Sequence, residues 1–287
     1  MKVGIMPLFG GDTAQPEYVA RIARGLEERG FHSVWAVDHI LLPTQFDSKY
    51  PYSADGSFPV DPAVQGLEPF NLLSFIAAHT SRIRLGTGVV VVPQRNPSLT
   101  AKQVADLDVL SGGRFDFGVG VGWLAEEFQA LDMPFATRAK RCAEYIDAMR
   151  ALWTQAEPSF DGETVHIPRC HFNPKPVQAG GPPIYFGGES QAALARVATR
   201  GDGWYGFNLD PAAVRERLAA LEALLAAAGR QRSDIQVAIG PNSKPVTPDT
   251  VAGYREAGVD QLVVGLMAGN VDSLRRRIDS MRATVGM

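Results

Sequence analysis

An aspartate and a histidine stand side by side where a short apolar segment ends. Ser33 to Asp38 (SVWAVD) predicts a β-strand, and His39 follows it directly. An imidazole exchanges protons near neutral pH, and a neighbouring carboxylate can orient it. We therefore take His39 and Asp38 as candidate catalytic residues. The alternative interpretation is a surface histidine beside an aspartate that caps the following loop.

Two glycines interrupt the most β-branched segment of the chain, Ile83 to Val92. Gly86 and Gly88 weaken a strand unless it bulges or another group approaches its backbone closely. A flat heterocyclic ring that rests on this backbone would explain both glycines. Curvature of the sheet is the alternative explanation.

Two further glycine-rich turns follow predicted strands. In Gly118-Val119-Gly120-Val121-Gly122, the glycines either clear space for a ligand or allow tight packing, and the lysine and hydroxyl pair of a nucleotide-binding P-loop is missing. Gly187-Gly188-Glu189-Ser190 joins a strand to a helix, where free N–H groups and a serine hydroxyl suit a phosphate. Ser190 would serve equally well as a plain helix N-cap.

The elements that must position these residues alternate between strand and helix along the chain. A long loop, 39–68, follows the second strand and carries Tyr50, Tyr52 and Phe58, which suggests an aromatic entrance. An insertion, 157–181, precedes the fifth strand and has room for a small hairpin. The predicted strands are 3–8, 33–38, 83–92, 115–121, 183–187, 203–207, 235–239 and 261–266, and the predicted helices are 17–29, 70–80, 98–110, 138–154, 190–200, 211–228, 248–257 and 271–282.

Eight such units favour a single (β/α)8 TIM barrel over residues 1–287, with its chemistry at the C-terminal ends of the strands. An open doubly wound sheet is the alternative. It is weakened because the first turn, Phe9-Gly10-Gly11-Asp12, lacks the G-x-G-x-x-G pattern of a dinucleotide site.

Composition excludes several functional classes. The 287 residues are 45% hydrophobic and 21% charged, and a net charge of −3 without a basic block argues against nucleic-acid binding. No secretion signal and no membrane-length apolar run is present, so a cytoplasmic protein with two reduced cysteines is expected. The five histidines show no metal-binding spacing, and no G-x-S-x-G hydrolase elbow occurs.

Taken in order, these motifs resemble the luciferase-like monooxygenase superfamily over nearly the whole chain. The match is best to the branch that uses the deazaflavin coenzyme F420. The segments that carry the resemblance are 30–35 with Asp38-His39, 82–89 with Pro93, 95–97 and 101–102, 107–115, 118–123 with Glu127, 174–178, 182–184, Gly187-Gly188 with Ser190, and 201–204.

The resemblance implies a role for each matching position. A non-proline cis peptide at Gly88-Val89 would back the cofactor ring, Gly188 and Ser190 would bind its phosphate, and His39 would be the catalytic histidine. Asp38 would contact the ring or the substrate. The neighbouring glycines Gly120, Gly122 and Gly187 complete the predicted cofactor site. Flavin-using members carry an arginine where this chain has Val121, which favours F420 over FMN.

The sequence thus predicts an oxidoreductase that transfers a hydride between F420 and a small organic substrate. One alternative is an FMN-dependent two-component monooxygenase that uses O₂ and reduced flavin from a partner reductase. A barrel that binds a flavin without catalysis is a third hypothesis. No metal, nucleic acid or membrane is expected to take part, and family analogy favours a homodimer.

Overall fold

Parallel strands and surrounding helices alternate in the computed structural model, which describes residues 1–61, 66–268 and 270–287. The strands are β1 Lys2–Pro7, β2 Ser33–Ala36, β3 Arg84–Thr87, β4 Val90–Val91, β5 Phe115–Gly120, β6 Phe160–Asp161, β7 His166–Ile167, β8 Ile184–Gly187, β9 Gly203–Phe207, β10 Gln236–Gly240 and β11 Gln261–Leu266. The helices are α1 Pro16–Glu28, α2 Pro69–His79, α3 Pro97–Ser111, α4 Ala125–Ala130, α5 Arg138–Thr154, α6 Gln191–Arg200, α7 Pro211–Ala227, α8 Pro248–Glu256 and α9 Val271–Thr284.

The sheet closes on itself. β1 pairs in parallel with both β2 and β11, and the remaining strands follow round to β8, β5 and β3, which pairs with β2. Since β3 and β4 are two parts of one barrel strand, the barrel has eight strands. This confirms the predicted (β/α)8 barrel and excludes an open doubly wound sheet.

The third barrel strand is not the continuous run from Ile83 to Val92 that the sequence predicted. It breaks into β3 and β4 at a cis peptide bond between Gly88 and Val89. The Gly88 N–H still donates to the carbonyl of Ala36 at 2.8 Å, so the break stays attached to β2. The non-proline cis peptide that the resemblance implied is therefore present at the expected bond.

Helix boundaries follow ordinary capping rules. Asn96, Ser190, Asp210 and Asn270 each accept a backbone N–H of the first turn, and α3 ends at Gly112 in the left-handed conformation. The sequence predicted eight helices within about three residues of their ends. It did not predict α4, because six residues are too few to show a helical period.

Aromatic side chains fill the barrel interior. Trp35 stacks on Tyr205 with ring centroids 5.2 Å apart, and Tyr185 meets Trp35 edge to face at 5.9 Å. The indole N–H of Trp35 donates to Ser33 Oγ at 2.7 Å, and Gln261 donates to the same hydroxyl at 2.6 Å. The buried polar atoms of this layer are therefore paired, and the interior below the mouth is a packed core.

Two predicted irregular segments have the expected positions. The insertion before β8 contains the antiparallel hairpin β6–β7. The long loop after β2 has no strand or helix in its described parts apart from one bridge between Gly66 and Gly10; residues 62–65 of this loop lie outside the described residues. Among the helices that the structure describes, none is long and apolar enough to cross a membrane.

Candidate active site

Asp38 lies just beyond the end of β2, and its carboxylate binds an arginine. Arg95 donates to Oδ1 at 2.6 Å and to Oδ2 at 3.2 Å, and the N–H of Val91 donates to Oδ2 at 2.9 Å. The Asp38 side chain is 1% exposed. The carboxylate thus ties the loop after β2 to β4. The sequence analysis expected this carboxylate to orient His39, whereas the structure pairs it with Arg95 and the Val91 N–H.

The carboxylate on His39 comes from α4. Glu127 Oε2 lies 3.0 Å from His39 Nδ1, and Glu127 Oε1 accepts the N–H groups of Ile40 at 2.7 Å and Leu41 at 3.3 Å. The Glu127 side chain is 1% exposed. Burial alone would raise its pKa, but the hydrogen bonds from His39 and from the backbone outweigh burial, and the net effect is a lowered pKa.

This geometry fixes the tautomer of His39. An ionised carboxylate can only accept hydrogen bonds, so Nδ1 must carry the hydrogen that points at Glu127. In the neutral ring Nε2 is then the basic atom, the one that can accept a proton. A glutamate that the sequence offered only as a family marker therefore does what was expected of Asp38.

The neighbouring glutamate holds the next part of the same loop. Glu126 Oε1 accepts the N–H groups of Asp47 at 2.8 Å and Ser48 at 3.1 Å, and the Ala125 N–H donates to Ser48 Oγ at 3.0 Å. Consecutive glutamates of α4 therefore bind two separate turns of the loop. Backbone N–H groups paired in this way form good sites for a carboxylate.

Aromatic side chains of this loop gather round Trp123, which follows β5. The rings of Phe46, Tyr50 and Phe58 lie 5.8, 5.2 and 5.5 Å from Trp123, and the His39 imidazole lies 6.1 Å away. The predicted aromatic loop residues are thus brought together beside His39. Their edge-to-face and tilted contacts are those of favourable aromatic packing.

A second acid, Glu189, lies on the same rim of the barrel, after β8. Glu189 Oε1 accepts the N–H of Phe207 at 2.8 Å, and the ring of Phe207 packs edge to face on Tyr52 at 4.9 Å. Burial raises the pKa of Glu189, and the hydrogen bonds from Phe207 and Tyr52 offset only part of that rise. Burial and the charge of Glu189 also raise the pKa of Tyr50, to about 12. The sequence analysis assigned no role to Glu189.

The cis peptide of Gly88 and Val89 lies above the aromatic core. A Cβ on Gly88 would stand 2.9 Å from the Tyr205 hydroxyl, so this strand and the core below approach each other closely. A Cβ on Gly120 would stand 2.5 Å from Val89, and one on Gly187 would stand 3.0 Å from it. Two of the predicted cofactor glycines therefore make room for the Val89 side chain.

Gly122 has a structural explanation as well. Its φ is +79°, and a Cβ there would stand 2.7 Å from both Phe128 and Val91. A side chain at position 122 would be disfavoured both by the backbone conformation and by its clash with Phe128 and Val91. The packing alternative accounts for Gly122, and a direct cofactor contact stays a prediction.

The predicted phosphate site is the start of α6. Ser190 caps this helix by accepting the N–H of Ala193 at 3.2 Å, and its side chain is exposed. Gly188 precedes it with φ +107°, and its carbonyl accepts the Trp204 indole N–H at 3.0 Å. The N-terminus of a ten-residue helix attracts anions, so these residues fit a phosphate.

Two arginines, Arg138 in α5 and Arg196 in α6, add positive charge to this side of the barrel. The sequence analysis missed both. Arg138, at the start of α5, donates to the carbonyl of Gly122 at 3.2 Å. Burial lowers the pKa of Arg138, and the charge of Arg196 lowers it further. In the part of the chain that the structure describes, neither forms an ion pair with a carboxylate. Arg138 thus reaches the residue next to Val121. This rim therefore carries a cation although position 121 is a valine.

No metal centre is found among residues 1–61, 66–268 and 270–287, which contain no cluster of three or more histidine, cysteine, aspartate or glutamate side chains able to hold a metal ion.

Comparison with known proteins identifies the family of this chain. The family model described as luciferase-like monooxygenase matches residues 1–283. An uncharacterized protein of Mycobacterium tuberculosis is 34% identical over 277 residues, 96% of each chain. An FMNH2-dependent dimethylsulfone monooxygenase of Pseudomonas putida is 32% identical over 195 residues, 67% of this chain and 48% of that protein.

A coenzyme F420-dependent tetrahydromethanopterin reductase from Methanopyrus kandleri has the same fold, with a TM-score of 0.76 and 18% identity over 99% of this chain and 98% of that one. Proteins that use F420 and proteins that use reduced FMN are therefore both similar to this chain. The full-length match of the family model shows that the chain belongs to the luciferase-like monooxygenase family.

Proposed function

We propose that this protein is an oxidoreductase that transfers a hydride between coenzyme F420 and a small organic substrate, with His39 as the proton donor or acceptor. The observation that carries the proposal is the hydrogen bond of 3.0 Å between His39 Nδ1 and the buried Glu127. It gives the barrel mouth one imidazole with a defined basic atom. Proton exchange by a positioned side chain is what a hydride transfer to or from an uncharged substrate requires.

The residues at the mouth fit a phosphate-bearing cofactor. Gly188 and Ser190 at the start of α6 would hold the phosphate, and Arg196, which lies within the same helix, would add positive charge. Gly88 and Val89 would support the ring. When bound, the deazaflavin would supply the chemistry of accepting or giving a hydride.

The side chains of the protein have three tasks in this proposal. His39 Nε2 takes a proton from the substrate as a hydride leaves it, or returns a proton in the reverse direction, so that charge balances. Glu127 stabilises the imidazolium that results. The aromatic cluster of Phe46, Tyr50, Phe58 and Trp123 excludes water from the reacting groups, which strengthens electrostatic interactions there.

An FMN-dependent monooxygenase supplied by a partner reductase is the second candidate. It is supported by the identity of 32% to the monooxygenase from Pseudomonas putida and by the two arginines that compensate for Val121. Against it, that relative is about twice the length of the matched region. The relative of 34% identity, by contrast, matches over 96% of this chain and 96% of its own length.

Titration of the purified protein with F420 and with FMN, followed by fluorescence and calorimetry, tests the choice. We expect micromolar or tighter binding of F420 and much weaker binding of FMN. Micromolar affinity for FMN together with no affinity for F420 would overturn the proposal in favour of the monooxygenase.

A further inference from the structure

Glu127 bonds both the His39 ring and the backbone of the loop after β2. Its Oε2 binds the His39 ring, while its Oε1 accepts two N–H groups from the first turn of the loop, those of Ile40 and Leu41. The carboxylate is almost fully buried, and the three donors surround it within 3.3 Å. Any movement of the loop away from α4 must therefore change the environment of the group that orients the imidazole.

We infer that Glu127 is a positioning residue that fixes the Nδ1–H tautomer of His39 only while the turn of the loop at Ile40 and Leu41 is docked on α4. This inference rests on the proposed function, because it gives the tautomer a use in proton transfer. It goes beyond that function by coupling loop docking to the state of the base through a single carboxylate.

The physical argument begins with the cost of burying a charge. A buried carboxylate remains ionised only if donors compensate for lost hydration. Loss of the Ile40 and Leu41 N–H groups would leave Glu127 with fewer donors and favour its protonation. A protonated or displaced Glu127 no longer requires a hydrogen on Nδ1, so the constraint that this carboxylate places on the His39 tautomer would be lost.

Gln94 is a second buried group beside Glu127. It lies after β4, is 4% exposed, and neither polar atom of its amide has a hydrogen-bond partner of normal length among the described residues. It is nevertheless close enough to help lower the pKa of Glu127. An amide N–H that approaches the carboxylate favours its ionised form, so Gln94 adds to the effect of the Ile40 and Leu41 N–H groups while the loop is docked.

Glu126 provides a matched control. It binds the same loop through the N–H groups of Asp47 and Ser48, and the structure places it on the same short helix. The His39 ring bonds Glu127, whereas Glu126 bonds the loop backbone further along the chain. Glu126→Gln therefore loosens the loop at a different turn without removing the carboxylate that faces the imidazole.

The test is a long-range ¹H–¹⁵N spectrum of protein labelled in histidine, recorded without cofactor at a pH where the His39 ring is neutral. The His39→Gln variant identifies the signal among the five histidines. We expect the Nδ1–H tautomer in the unsubstituted protein and in Glu126→Gln, and a shift toward the Nε2–H tautomer in Glu127→Gln. An Nε2–H tautomer in the unsubstituted protein overturns the inference even if Glu127→Gln does not fold.

Amide hydrogen exchange supplies the readout for the loop. Glu127→Gln should speed exchange at Ile40 and Leu41, whereas Glu126→Gln should speed it at Asp47 and Ser48. An unchanged tautomer in a folded Glu127→Gln variant would refute the coupling. Neither readout needs cofactor or turnover. A failure of the proposed function would therefore be detected separately, as an unchanged turnover rate in the His39→Gln variant.

Discussion

Arg95 binds Asp38 through two hydrogen bonds, of 2.6 and 3.2 Å, and binds Glu68 through a third at 3.0 Å. The guanidinium thereby connects the strand end after β2 with the residue that caps α2. Asp38 also accepts the Val91 N–H, two residues beyond the cis peptide. The ion pair thus holds the broken third strand and the end of β2 in one arrangement.

Removing the charge of Asp38 should destabilise the fold. Asp38→Asn leaves the Arg95 guanidinium, which is 10% exposed, without its closest counter-charge. Breaking one side of a buried ion pair costs about 3 kcal/mol, and denaturant unfolding measures this loss. Glu68→Gln is the control: its side chain is 31% exposed, so its loss should cost about 1 kcal/mol or less. Equal losses in both variants would contradict this assignment.

Replacing His39 should reduce turnover without unfolding the protein. His39→Ala removes the proton-exchanging group, and a positioned acid or base contributes on the order of 10²- to 10⁴-fold to the rate. Steady-state turnover with F420 and an accepted substrate measures the effect. His166→Ala, in the exposed ion pair with Asp161, should keep the original rate. A rate in His39→Ala equal to that of the control would favour the non-catalytic hypothesis.

Glu189 should make stability depend on pH. Its pKa in the folded protein is raised above the ordinary value of 4.5, so the folded state binds the proton more tightly than the unfolded chain. Stability is therefore lost as the pH rises from about 4.5 through the folded-state pKa. Glu189→Gln removes this contribution, and its free energy of unfolding relative to the original protein should increase over that range.

Urea unfolding at a series of pH values tests this prediction. Glu222→Gln on the exposed face of α7 makes the same change in charge and controls for it. Parallel curves for Glu189→Gln and the original protein would show that Glu189 does not hold its proton more tightly when folded.

Much of the barrel was predictable because it depends on local pattern. Alternating strands and helices gave the eight units, and the glycines within Ile83 to Val92 marked the position where the third strand breaks. These features depend on residues that are close in sequence, such as caps, turn glycines and β-branched runs. The predicted strand ends differ from the observed ones mainly by one or two residues.

The partners at the site were not predictable in this way. His39 and Glu127 are 88 positions apart, and Asp38 and Arg95 are 57 apart. Only closure of the barrel brings these residues together, and one sequence carries no signal of which distant side chains will meet. Asp38 was assigned to His39 because it is the neighbour in sequence, whereas the fold turns it toward Arg95.

Arg196, which lies within α6, should act on the phosphate of the cofactor and not on its ring. Arg196→Gln removes a half-buried charge that has no carboxylate partner among the described residues, so the protein should be as stable as before or slightly more stable. Binding of F420 should weaken by about 10-fold, which corresponds to about 1.4 kcal/mol. A deazaflavin that lacks the phosphate-bearing side chain should bind both proteins with equal affinity, because it has nothing for Arg196 to attract.

Fluorescence titration with both ligands measures the four affinities. Arg215→Gln on the exposed surface of α7 controls for the change in net charge. If Arg196→Gln weakens both ligands equally, its effect lies in the ring pocket, and the assignment of α6 to the phosphate loses its support.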